Sequence, residues 1–596
     1  FRKLYEGLWF LRFQILWIGG VILINEALEV FKKIYDKEGE ELVVSKHIPK
    51  DGTYILVNIE SGKIIENLNI AYDKKNKKID GEYNQYYSYI RAFDYYSNLV
   101  EMNKSMDQKK TIHSNQIYSF FVKKESIREN KLTKAIIEGY KKNLLNPEEK
   151  YNSREGKELY KNIANKLPEI EKDTVEKIFS WIETNVNEDL LEDNKKDYLK
   201  IFFVESDLDI SLELFKNEHK RYLIPNIFNS NDYNRKIGET IYGASNNNMG
   251  LNPKKVYLLN RTRRVSTPYL VDTEEILLQY AFYNYLLPEV KQGNYFIYFT
   301  ENEIIPKTYK DACPNGARYL LNATYSKDVD IKNFNIISKS DSQEISINFR
   351  EILHQKRKDS DEIEYGNLNR EKIMNNINKI LFYNSLLGNF LASDGDLDIK
   401  DIEIKKLLMK YRNAFYKWFY LNDETEVKKS IKKIYLDAVM VAIENGHLFK
   451  ANQQLDLGFC LEEYFYKKSE LMEEIMNIKE IFLNHTLSEE DWDFLNDEEY
   501  FFAVGQVLAY INYMRNSKAK SLNFIKQLTF IKNPTILKEK IKKIIISYSH
   551  IFETKNKKIN RTISNISLYQ PKEIKIDILL AGFTADIVFF KKREEK

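Results

Sequence analysis

Residues 102–127, MNKSMDQKKTIHSNQIYSFFVKKESI, gather five lysines, one histidine and two asparagines around the apolar run Ile117, Tyr118, Phe120, Phe121 and Val122. Three kinds of chemistry use such residues: proton transfer at His113, phosphate contact at Lys104, Lys109, Lys110, Lys123 and Lys124, and base stacking on the rings. His113 has no cysteine or second histidine nearby in sequence, which marks it as a hydrogen-bonded structural residue. The aromatic residues lie in a run of high strand propensity and belong in a core. What remains is a strand with basic flanks.

A second stretch, residues 243–264, reads GASNNNMGLNPKKVYLLNRTRR. Gly243, Gly250 and Pro253 disfavour regular structure, and Asn246, Asn247 and Asn248 supply amides of the kind that pair with base edges. Lys254, Lys255, Arg261, Arg263 and Arg264 follow with no acidic residue among them, which suits phosphate contact. A surface loop followed by an edge strand with solvated basic flanks has the same spacing. Both readings stand on the residues alone.

Other chemistry is not written in the sequence. Seven histidines, at 47, 113, 219, 354, 447, 485 and 550, never meet at ligand spacing, and HExxH, phosphate-loop and GxSxG patterns are missing. The acidic cluster from Asp394 to Asp398 starts like a calcium loop but lacks glycine at the sixth position and glutamate at the twelfth, so it reads as a solvated turn. No catalytic residue, metal or cofactor is expected. Cys313 and Cys460 are too far apart for a local metal knuckle or a disulfide framework, which points to a reducing cytoplasm.

The elements that must position these residues follow from composition and period. At 596 residues, with 43% hydrophobic and 13% aromatic content, the chain should fold into more than one domain, each with its own core. Net charge is small, 91 − 88 = +3, yet residues 501–596 hold 19 basic against 7 acidic residues, leaving +12 there and −9 in the remainder. Such asymmetry suits a polyanion-facing segment. Arg12 and Gln14 interrupt the apolar run from Leu8 to Ile24, so no membrane span is expected, and residues 1–19 stay unassigned.

An amphipathic helix from Asn25 to Asp36, a hairpin over 53–65 turning at Ser61-Gly62, and strand-like runs from Val256, Asn294 and Asn333 alternate with a helix from Glu274 to Leu287. Asp272 and Glu275 offer that helix a capping box. These features predict a mixed α/β domain over 20–355. After the polar run 355–365 the period becomes helical. Ser488 offers a cap, Tyr500, Val504, Val507, Leu508 and Ile511 share a helical face, Asn533-Pro534 opens a helix bearing Leu537, Ile541, Ile544 and Ile545, and Pro571 precedes a last helix reaching Phe590. The expected class is α+β: a mixed N-terminal domain, then an α-helical bundle over 366–596.

In order along the chain, the blocks YYSNLVEMNKSMDQKKTIHSNQIYSFFVKK from Tyr95, IYGASNNNMGLNPKKVYL from Ile241, FFAVGQVLAYINY from Phe501 and ILLAGFTADIVFF from Ile578 resemble the large subunit of type I-B CRISPR Cascade. That subunit belongs to an RNA-guided surveillance complex of bacteria and archaea used in antiviral defence. The resemblance runs from about residue 20 to the C-terminus. It implies a non-enzymatic protein whose partners are the guide RNA complex, backbone and small subunits, target duplex DNA with its displaced strand, and a separate helicase-nuclease. In such complexes guide pairing reads sequence, while protein reads a short duplex flank, the PAM. By this resemblance Asn246, Asn247, Asn248, Lys254, Lys255, Arg261, Arg263 and Arg264 are PAM candidates. Lys104, Lys109, Lys110, Asn115, Lys518, Lys520 and Lys526 are candidates for nucleic-acid or subunit contact. The family's small subunit is often translated from an internal start, for which Met472, or Met476, stands in a suitable place and would give a product resembling it over 472–596. A generic DNA- or RNA-binding protein and a metal-dependent nuclease are the alternatives.

Overall fold

Residues 54–57 of the strand Gly52–Asn58 (β1) are all apolar and all buried, which places β1 inside a sheet covered on both faces. The computed structural model describes residues 25–596 apart from 74, 77, 81–83, 192–194, 232–233, 246–269, 326–328, 338–344, 354–362, 468–470, 489, 516–521, 553–556 and 592–596. From β1 the chain turns through Ser61-Gly62, where Gly62 takes a φ of +64°, and returns antiparallel as Ile64–Asp73 (β2). This is the hairpin expected from sequence. Lys78–Asp80 (β3), Ser119–Lys123 (β4) and Tyr198–Val204 (β5) complete a sheet of order β3-β2-β1-β5-β4. β5 runs parallel to β1 with Lys200 beside Tyr54, and antiparallel to β4 with Lys200 beside Phe121.

Two compact units divide the chain: residues up to Thr308 with Tyr319–Asn335, and Tyr309–Arg318 with everything from Ile336 onward. Counting helices of seven residues or more, the first unit contains α1 (Asn25–Glu38), α2 (Tyr87–Ser97), α3 (Lys134–Leu145), α4 (Arg154–Ala164), α5 (Lys172–Asn185), α6 (Leu208–Asn226) and α7 (Thr273–Gln292). Asp272 caps α7 by accepting the Glu275 N–H at 2.8 Å, and the helix continues past Leu287 through Pro288 to Gln292. A short hairpin, Arg235–Ile237 (β6) and Thr240–Tyr242 (β7), precedes it. Phe296–Phe299 (β8), Ile304–Lys307 (β9), Tyr319–Tyr325 (β10) and Val329–Ile336 (β11) form a second sheet, in the order β11-β10-β8-β9. Phe31 of α1 packs between Phe282 and Tyr285 of α7, and Phe93 of α2 stacks on Phe215 of α6, so the helices share one aromatic core with the sheets.

The second unit opens with a short strand pair, Ile347–Phe349 (β12) and Gly366–Leu368 (β13). Helices follow: α8 (Arg370–Ile380), α9 (Ile402–Leu421), α10 (Thr425–Glu444), α11 (Leu448–Tyr466), α12 (Leu471–Leu487), α13 (Asp497–Met514), α14 (Asn523–Thr529), α15 (Pro534–Ser547), α16 (Lys557–Leu568) and α17 (Ile576–Thr584). The α+β class is therefore as the sequence indicated, a mixed sheet in the N-terminal region and helices in the C-terminal half. Asn533 caps α15 as expected, accepting from Thr535 and Ile536 N–H. Two boundaries differ. Ser488 follows α12, and α13 is capped instead by Asn496, which accepts the Glu499 N–H at 2.9 Å while Glu499 accepts the Leu495 N–H at 2.8 Å. Among the described residues the last α-helix ends at Thr584 and is followed by a 3-10 turn at Val588–Phe590.

The helices α13 and α17, the segments carrying the Phe501 and Ile578 blocks, cross in close backbone contact. Gly505 faces the backbone of Leu579, Gly582 and Phe583, and Gly582 faces the backbone of Phe502, with no room at either for a Cβ. Gln506 seals the crossing: its amide donates to the Gly582 carbonyl at 2.7 Å, and its oxygen accepts the Val588 N–H at 2.9 Å.

Candidate functional site

The opening lysine-rich stretch folds as a loop organised from inside by a buried carboxylate. Asp107 is 3% exposed and accepts backbone N–H groups of Lys109 at 2.9 Å, Thr111 at 2.6 Å and Ile112 at 3.0 Å. The loop is thereby pinned with Lys109 and Lys110 on the outside, both exposed. Lys104 turns inward and donates to the carbonyls of Asn226 and Phe228. Asn115 is buried, its amide nitrogen bonded to the carbonyls of Tyr96 at 3.1 Å and Asn98 at 2.8 Å. His113 bonds the Tyr198 hydroxyl and the Lys110 carbonyl, both at 3.0 Å, in the structural role its isolation suggested. Tyr118, Phe120 and Phe121 are core residues. In the second unit Lys526 pairs with Glu444 at 2.5 Å. Asn246, Asn247, Asn248, Lys254, Lys255, Arg261, Arg263, Arg264, Lys518 and Lys520, with the strand expected at Val256, lie outside the described residues.

Behind the strand β4 is a constellation that sequence reading missed. Lys200 sits at the centre of the first sheet, 1% exposed, where an unpaired cation would be prohibitively costly. Its partner is Asp94 of α2, itself fully buried, whose other oxygen is 2.7 Å from His47 Nε2. The Lys200 ammonium also lies 4.5 Å from the Phe121 ring centre and 5.1 Å from that of Tyr54. Burial works against ionisation of Asp94, but the charge of Lys200 and the bond from His47 outweigh it and hold the carboxyl well below its ordinary range. Burial lowers His47, which Asp94 counters in part and Lys200 and Lys291 reinforce. Burial likewise lowers Lys200, with Lys50 and Lys291 acting in the same direction. At neutral pH Asp94 is then a carboxylate that accepts from Lys200 and from the Nε2–H of a neutral His47.

His47 and Asp94 line a cleft of about 450 Å³, which shares Lys50, Asn98 and Glu101 with an adjoining hollow of about 220 Å³ lined by Tyr198 and Lys200. Tyr280, Tyr283 and Lys291 of α7 form one wall, and Ser245 belongs to the lining. Gly243 and Val271 exchange both backbone hydrogen bonds, each 2.9 Å, so the chain leaves and re-enters the described structure at two clasped positions beside the cleft. The signal for this site was a single lysine inside the otherwise apolar run Leu199 to Val204. Among the described residues no group of histidine, cysteine, aspartate and glutamate could hold a metal ion, and no helix is long and apolar enough to cross a membrane. Comparison with family models, curated proteins and solved structures gives no match. The fold and the site define an α+β chain with a lysine- and tyrosine-lined cleft.

Proposed function

We propose that the chain is the non-catalytic large subunit of an RNA-guided type I-B CRISPR Cascade complex, which recognises PAM duplex DNA, stabilises the displaced strand and helps to recruit a helicase-nuclease. The supporting observation is that the amide-rich and acid-free basic residues 246–264 are inserted between positions clasped by the Gly243–Val271 pair, on a unit that also exposes Lys109 and Lys110. In the reconstituted complex, changing Asn246, Asn247 and Asn248 together to alanine should relax PAM preference, with a loss of about 1 to 3 kcal/mol for each true base contact. Changing Lys109 and Lys110 to alanine should weaken DNA binding equally for all sequences and reduce its salt slope, because phosphate contacts hold no base information. Unchanged PAM preference in the triple variant would remove the assignment.

Within the same reading, residues 472–596 form a second product, the small subunit. Support comes from the packing of α12, α16 and α17 on α13, all inside that segment but for Leu471. Met472 is buried as the second residue of α12, with its sulfur 3.0 Å from Cys460 Sγ, whereas Met476 is 43% exposed. Starting at Met476 would remove Met472 and Ile475, two of the buried anchors of α12. The expected result is that Met472→Leu alone abolishes a short C-terminal product on a blot against a C-terminal tag. A product that persists when both methionines are changed would exclude both starts.

A further inference from the structure

We propose that the cleft of the first unit binds a nucleoside 5′-monophosphate group. Its volume lies within the range of about 300 to 1,000 Å³ usual for small-ligand sites. Two chemistries converge there. Tyr280, Tyr283 and Tyr325 supply aromatic wall for a planar ring, and Tyr198 continues it into the adjoining hollow. Lys50 and Lys291 stand at the same cleft, Lys50 exposed with its ammonium 5.8 Å from the Tyr198 ring centre, and Lys291 4.3 Å from that of Tyr72. Lys50 has no ion-pair partner among the described residues. Neutral His47, once its Nε2–H is given to Asp94, presents Nδ1 as an acceptor for a ligand hydroxyl or amine.

Charge sets the class of anion. Lys200 is paired with Asp94, and Glu101 lies 3.9 Å from the Lys104 ammonium, so both carboxylates of the cleft are matched by cations, and Lys50 and Lys291 add two positive charges. Two positive charges match the two negative charges of a phosphate monoester. Such a group could be a free nucleotide or the phosphorylated end of a strand. The inference does not depend on the role proposed above, since a free nucleotide would occupy the cleft without any guide complex.

The test is calorimetric titration of the full chain with AMP, UMP, GMP and CMP, with adenosine, with inorganic phosphate, and with a hexanucleotide with and without a 5′-phosphate. Expected is saturable binding of at least one monophosphate or of the phosphorylated strand, weakened about tenfold or more in Lys50→Ala/Lys291→Ala. Free nucleotides binding as tightly as the phosphorylated strand identify a nucleotide site, and binding of the phosphorylated strand alone identifies a strand-end site. Should the double variant fail to fold, Lys50→Gln, at an exposed position, serves in its place with a smaller loss. The proposal is overturned if no monophosphate or phosphorylated strand binds saturably, if inorganic phosphate or adenosine binds as tightly as the nucleotide, or if the lysine variants bind like the parent.

Discussion

Replacing Gly582 by valine should cost the second unit about 3 kcal/mol or more, because the new side chain would be driven into the Phe502 backbone of the facing helix. Alanine is the sharper test. In an open helix Gly→Ala is favourable by about 1 kcal/mol, since glycine loses more backbone freedom on folding. At Gly582 a single Cβ already meets the Phe502 carbonyl group, and the atoms that would have to move are backbone. Separating the helices also strains the Gln506 bond to the Gly582 carbonyl. Overpacking should therefore win, with Gly582→Ala and Gly505→Ala both destabilising by about 1 to 3 kcal/mol. The double variant should cost less than the sum, because both additions open one crossing. Gly139 in α3 is the control: nothing lies within 4 Å of its added Cβ, so Gly139→Ala should stabilise. Denaturant unfolding of the full chain reads all five, and a stabilising Gly582→Ala would show that the crossing is looser than its geometry.

What sequence revealed of this fold was local. The Ser61-Gly62 hairpin, the Asp272 cap and the Asn533-Pro534 helix start each depend on residues a few positions apart, so spacing alone carried them. The Ser488 cap misled because Ser488 and Asn496 both precede acidic residues, and only packing decides which one opens the helix. Lys104 and Asn115 are typed for surface contact, yet both spend their side chains on carbonyls of neighbouring segments, bonds invisible without the tertiary structure. The cleft was hidden for the same reason. His47, Asp94, Lys200 and Lys291 come from four separate segments, joined only when β5 pairs in parallel with β1. Lys109 and Lys110 are exposed as phosphate contact requires, while the asparagine and arginine candidates fall outside the described residues.

The two units should respond to pH in opposite directions. In the first, His219 is 4% exposed among Tyr95, Tyr96 and Asn115, and burial pushes it down to about 4. Because the folded value lies below the ordinary 6.5, the unfolded chain takes up the proton first as pH falls. The stability from keeping His219 neutral is full above 6.5 and is lost between 6.5 and about 4, on the order of 3 kcal/mol at 1.4 kcal/mol per pKa unit. In the second unit, burial raises Asp456 of α11 to about 8 despite N–H groups of Ile352 and Leu353 and the charge of Lys479, with Glu351 adding to the rise. Here the folded state holds the proton more tightly than the unfolded chain, whose ordinary value is 3.8. The stability it contributes is full below 3.8 and falls away as pH climbs to about 8, on the order of 3 to 6 kcal/mol. Asp456→Asn keeps an acceptor for the Leu353 N–H, now at 3.2 Å, and carries no charge to bury. It should therefore raise the unfolding temperature strongly at pH 8 and change it little at pH 4, whereas His219→Gln should flatten the acid limb alone. Equal shifts at both pH values for Asp456→Asn would mean that the aspartate is already ionised in the folded chain at neutral pH.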